Sequence, residues 1–154
     1  MASAPDGGPT LAQLFELRRV VETACAEMAA ERRTAADVDA IRTALAAMLA
    51  QADGHGDMAS AAAADMAFHH AIAEAAHNPC FTGLTDFVSQ QMLTARQRAW
   101  ENTARLVAST GAPRAADSEH AALAEAIAAG NAAAAREAAQ QHLSAAAARL
   151  GLPG

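Results

Sequence analysis

Asp65 and His69 stand four residues apart in the segment Asp65-Met66-Ala67-Phe68-His69, and His120 and His142 follow further along the chain. Residues i and i+4 of a helix lie one above the other on one face, so a helical segment aims this carboxylate and this imidazole at one point. One carboxylate and three imidazoles form an N/O ligand set for a divalent metal. Its hard-to-borderline character suits Zn²⁺, Ni²⁺ or Mn²⁺ rather than Cu(I) or an iron–sulfur cluster. Phe68, Ile72 and Ala76 share the Asp65/His69 face, which should therefore look inward. A carboxylate on such a face needs a cationic partner, because an unpaired buried charge costs on the order of several kcal/mol.

His120 and His142 flank a turn at Gly130-Asn131. One lies about ten residues before it and the other about eleven after, so at roughly 1.5 Å per residue both stand about 16 Å from the turn. In an antiparallel hairpin they are level. Leu123 and Ile127 share the face of His120, and Ala138, Ala139 and Ala145 that of His142, so both faces are apolar enough to point at a core. Rotation about the helix axes is not fixed by spacing. Histidines that are simply hydrogen-bonded within the core remain the alternative. His55, His70 and His77 read as surface or structural residues. Arg18 falls in the apolar line Leu14, Val21, Cys25 and Met28. It could pair with Glu22 at i+4, snorkel to solvent, or grip a ligand carboxylate with both prongs of its guanidinium. Arg96, Arg98 and Gln91 are weaker candidates for a cavity lining, Trp100 reads as a packing residue, and Glu119 as a surface group or a support for a ligand.

The elements that would position these residues are all helical. Alanine dominates the composition, there is no Tyr, and every basic side chain is Arg. Strong helix formers are abundant and β-branched and aromatic residues scarce, which predicts an all-α antiparallel bundle of six to seven helices. A first helix is expected over about 10–33 and a second over 34–51, opened by a Thr34/Asp37 capping box. A third runs over 58–77 after the turn Asp53-Gly54-His55-Gly56-Asp57, and Asn78-Pro79 ends it. A long fourth helix follows over about 79–106 and a loop over 109–113. The fifth covers 114–129, stopped by Gly130, and the sixth runs from the Asn131 cap to about Leu150. Residues 1–10 are Gly/Pro/Ala-rich and read as a linker or tail.

Composition also excludes function classes. A net charge of −6 with scattered arginines does not give the clustered positive surface that grips nucleic acid. Cys25 and Cys80 form no CxxC motif and no disulfide framework, and they read as thiols of a reducing cytoplasm. Charged and polar residues break every apolar run before it reaches membrane-spanning length, and the N-terminus lacks the pattern of a signal peptide.

Several landmarks recur in a fixed order: Leu14-Phe15-Glu16-Leu17-Arg18-Arg19-Val20-Val21-Glu22, Ala29-Ala30-Glu31-Arg32, Asp65-Met66-Ala67-Phe68-His69, Asn78-Pro79, Glu119-His120, Ala126-Ile127 with Gly130-Asn131, and His142-Leu143. In this order the chain resembles the FCD domain, the helical effector-binding and dimerisation domain of GntR-family bacterial transcription regulators of the FadR subfamily. The likeness covers about residues 11–151. It implies that Asp65, His69, His120 and His142 hold a divalent metal, Zn²⁺ before Ni²⁺ or Mn²⁺. It also implies a small carboxylate effector at the open positions of the metal, with Arg18 as its second anchor.

The same resemblance implies a cytoplasmic homodimer that is not an enzyme and meets no membrane. DNA would be reached only through a winged-helix domain, for which this chain has no room before Leu11. Two other readings stay open on the residues alone. One is a metal-dependent hydrolase or lyase, with Glu119 or His77 as its base; the other is a structural helical dimer without ligand.

Overall fold

The computed structural model describes residues 9–51, 57–93 and 115–153. Six helices lie within them: α1 (Leu11–Arg32), α2 (Ala35–Ala50), α3 (Met58–Ala75), α4 (Pro79–Gln91), α5 (Ala115–Ala128) and α6 (Ala132–Arg149). The chain is an all-α bundle.

Local chemistry sets most of the helix ends. Thr10 and Gln13 form a reciprocal capping box at the start of α1, and Thr34 and Asp37 form another at α2. Asp57 caps α3 through the Ser60 amide. The Asn78 side chain accepts from Cys80 N, with Pro79 in the first turn of α4, where its missing N–H leaves no bond unmade. Gly130 takes a left-handed φ of 71° after α5, and the Asn131 side chain caps α6 through Ala134 N. Where one long fourth helix is expected to about residue 106, α4 ends at Gln91 with Met92 as its C-cap, Leu93 is helical again, and residues 94–106 lie outside the described residues. Trp100, Arg96, Arg98, His55, the 109–113 loop and the tail up to residue 8 lie outside the described residues.

Helix α1 is the axis of the bundle, packing most extensively on α6 and also on α3, α4 and α5. Helices α2 and α3 pair closely, as do α5 and α6. Two arginines tie helix C-termini together at one end. Arg33 donates to Ala30 O and Ala128 O, the last turns of α1 and α5, and Arg32 donates to Ala76 O beyond α3. Each neutralises carbonyls that a helix end leaves unpaired.

The apolar core has two parts. One gathers Val21, Cys25, Phe68, Ile72, Leu123 and Ile127 with many buried alanines; the other gathers Leu14, Phe15, Val88, Met92 and Leu143. Small alanine faces let the backbones approach, so the core is built of contact between helices more than of bulky side chains. Arg18 lies on α1 between the two parts, buried at 3% exposure. Among the described residues no helix is long and apolar enough to cross a membrane.

Candidate metal centre

Three helices bring His69 (α3), His120 (α5) and His142 (α6) to one point inside the bundle, each 3–4% exposed. The ring centroids of His120 and His142 are 4.3 Å apart, those of His69 and His142 5.4 Å, and those of His69 and His120 5.6 Å. One ligand nitrogen from each ring falls within 4.8 Å of the others. Asp65 Oδ1 lies 3.3 Å from His120 Nε2 and 3.7 Å from His69 Nε2. Phe68 closes the apolar side, edge-on to His69 and His120.

These separations can be tested against an ion. Ligand atoms about 2.1 Å from one centre stand roughly 3.0 Å apart at right angles, about 3.4 Å apart at tetrahedral angles and about 4.2 Å apart when opposed. The Asp65 oxygen, 3.3 and 3.7 Å from two of the nitrogens, falls within that range. The donor set tells the same way. His69 Nε2 and His142 Nε2 are buried and take no hydrogen-bond partner among the described residues. Leaving such groups unmatched costs about 1–3 kcal/mol each, a cost that coordination removes. The three histidines form a nitrogen set that could hold a divalent cation, and the Asp65 carboxylate stands beside two of them.

Behind the rings stand two carboxylates, each held by an arginine. Glu119 Oε2 is 2.8 Å from His142 Nδ1, and both Glu119 oxygens accept from Arg149 at 3.0 Å. Burial pushes the Glu119 carboxyl up, but the hydrogen bonds from His142 and Arg149 and the charge of Arg149 outweigh it and hold it at about 2. Burial also pushes His142 well below its ordinary value, and the neighbouring His120 adds to this. An ionised carboxylate can only accept, so a neutral His142 carries its proton on Nδ1 and turns the Nε2 lone pair inward.

On the other side Glu22 Oε2 stands 3.1 Å from His69 Nδ1, while Arg18 Nε donates to Glu22 Oε1 at 2.8 Å. The pairing of Arg18 with Glu22 and its burial near the centre are both present. Phe15 lies 5.1 Å below the Arg18 guanidinium.

Beside the histidines Glu22, Cys25, Ile72, Leu123, Ala139 and Leu143 line a cavity with about 10 Å³ of room, on the order of one water. Burial raises the Cys25 thiol to about 11, against a smaller opposing hydrogen bond with Thr85. It is therefore neutral and sits as an apolar wall.

The remaining histidines among the described residues lie elsewhere. His70 pairs with Asp86 at 2.7 Å and His77 with Asp37 at 2.8 Å, both on the surface. Sequence reading linked Glu22 only to Arg18, and its approach to His69 was missed. The one available signal was its place one turn beyond Arg18 on the inward line of α1.

A family model for the FCD domain matches residues 13–145. Over 134 residues the chain is 35% identical to the HTH-type transcriptional regulator LutR of Bacillus subtilis (strain 168), a match covering 85% of this chain and 58% of that protein. Over 90 residues it is 32% identical to the galactonate operon transcriptional repressor of Escherichia coli (strain K12), covering 58% of this chain and 38% of the relative. The matches span 58% and 38% of the lengths of these curated relatives.

Proposed function

Because the chain belongs to the FCD domain family of GntR-type transcription regulators, we propose that it senses a small carboxylate through a divalent metal held by Asp65, His69, His120 and His142. The observation that carries this reading is the convergence of three buried histidines whose inward nitrogens at His69 and His142 take no hydrogen-bond partner among the described residues. Zn²⁺ is the first expectation, with Ni²⁺ or Mn²⁺ compatible with the same donors. A bound ion supplies a Lewis-acidic centre for a carboxylate oxygen.

The residues of the chain do the rest. Arg18 is bound to Glu22 through Nε alone among the described residues, and its two terminal amino groups form the prong that meets the far side of an anionic ligand. The apolar walls of Cys25, Ile72 and Leu123 exclude water and strengthen both contacts. Room for about one water means that a multi-carbon ligand needs the cavity to widen. Since α1, α3, α5 and α6 all contribute to the site, such a ligand shifts their relative placement. In a longer regulator that shift reaches a winged-helix DNA-binding module, and in a homodimer it alters the spacing of two such modules in the cytoplasm. The second relative is named for the galactonate operon, and galactonate is a hydroxy-acid carrying the carboxylate this site would take.

A hydrolase or lyase is less well supported. Glu119 is engaged by Arg149 and His142, and His77 is paired with Asp37 on the surface, so neither is placed to act as a base. The test is calorimetric titration of zinc-loaded and chelator-stripped protein with a panel of small hydroxy-acids and sugar acids. Saturable binding by the loaded form alone is expected. Equal binding by both forms, or none by either, overturns the reading.

A further inference from the structure

On α5 the neighbouring residues Glu119 and His120 serve different helices. His120 turns into the metal centre, whereas Glu119 reaches α6 and meets His142 Nδ1 at 2.8 Å. Its other contact is Arg149, seven residues beyond His142 and thus two turns along the same face of α6. The guanidinium grips both carboxylate oxygens at 3.0 Å, which fixes the plane of the carboxylate as well as its place. His142 is buried, and its Nε2 has no hydrogen-bond partner among the described residues, so its ring has one anchored edge and one edge facing the centre.

We propose that Glu119, clamped by Arg149, is the positioning residue of His142, fixing both the angle of its ring and the nitrogen that carries the proton. The inference rests on the metal reading given above and adds residues to it. A plain ion pair stapling α5 to α6 would need Arg149 and Glu119 but not the contact with His142. On the opposite side the Glu22 carboxylate, held by Arg18 through one bond, stands 3.1 Å from His69 Nδ1, a looser contact than the hydrogen bond between Glu119 and His142. Glu119 does not touch the ion; it acts through His142. A hydrogen-bonding carboxylate behind a ligand histidine typically changes metal affinity by about 10- to 100-fold.

The experiment compares wild type, Glu119→Gln and Arg149→Gln for zinc affinity, by competition with a chromophoric chelator, and for the His142 tautomer, by long-range proton–nitrogen correlation in metal-free protein. Melting temperature and circular dichroism are followed in parallel. Wild type should carry the His142 proton on Nδ1. Glu119→Gln should bind zinc about 10- to 100-fold more weakly and give a mixture of tautomers. Arg149→Gln should lie between the two, and it decides the matter if Glu119→Gln does not fold. Folded variants with unchanged tautomer and zinc affinity within about twofold of wild type, whatever their melting temperature, overturn the inference alone. A wild type that takes up no zinc overturns the metal reading and this inference with it.

Discussion

Asp65 Oδ1 lies 3.3 Å from His120 Nε2, although one residue is on α3 and the other on α5. The contact joins two half-sites. Asp65 and His69 form one on a single helix, and His120 and His142 form the other across the α5–α6 hairpin. The three histidines meet at one point, and Asp65 approaches two of them.

Acid should weaken the metal-free fold in two stages. An unfolded chain takes up a proton at His142 near the ordinary 6.5, whereas the folded chain resists it, so stability falls as pH drops below that value. The Glu119 carboxyl, at about 2 in the fold against an ordinary 4.5, contributes fully above about 4.5 and loses its contribution as pH falls toward 2. One proton corresponds to a slope of at most about 1.4 kcal/mol per pH unit. Denaturant midpoints of metal-free protein measured from pH 8 to pH 2 check the sign of both stages. A midpoint that rises on acidification contradicts it.

Replacing Arg18 by lysine should separate the two ligands. Arg18→Lys keeps a cation beside Glu22 but loses the two-pronged fork, so zinc binding should persist within a few-fold while carboxylate affinity drops about tenfold or more. Parallel zinc and carboxylate titrations measure this, and an unchanged carboxylate affinity would remove Arg18 from the site.

Gly130 answers to two demands at once. Its φ of 71° is strained for any side chain, and a Cβ there would collide with the Arg33 guanidinium, which is engaged with Ala30 O and Ala128 O. Gly130→Ala should cost about 1–2 kcal/mol from backbone strain alone, with more if Arg33 is displaced. Equilibrium denaturation gives the value, and a stability equal to wild type would contradict the close approach.

The two thiols should differ sharply. Cys80 is exposed, whereas Cys25 is buried with its pKa raised to about 11. One equivalent of an alkylating reagent should therefore react rapidly in the native state and a second only on unfolding. Rapid native labelling of both would show that the cavity wall opens.

Much of this arrangement is written locally in the chain. Thr34/Asp37, Asn78-Pro79 and Gly130-Asn131 mark helix ends by capping chemistry that needs no tertiary contact, and the helices start where those residues stand. The level placement of His120 and His142 follows from counting residues on either side of a turn. Which way each helix is rotated does not. Glu22 reaches His69, and Glu119 reaches His142, only because α1 and α5 settle at particular angles against α3 and α6. That choice is made by the packing of alanine faces, which have little shape of their own to read from sequence. The break at Met92 was not legible for a related reason: nothing in residues 89–93 is a strong breaker, and the end of α4 at Gln91 carries no Gly or Pro signal.

Metal content tests the account most directly. Protein purified without chelator, then stripped and reloaded with zinc, should hold one ion per chain by plasma mass spectrometry. His120→Ala and His142→Ala should hold none while keeping their helical circular dichroism. A wild type that stays metal-free after reloading, or histidine variants that bind zinc as fully as it does, would contradict the account.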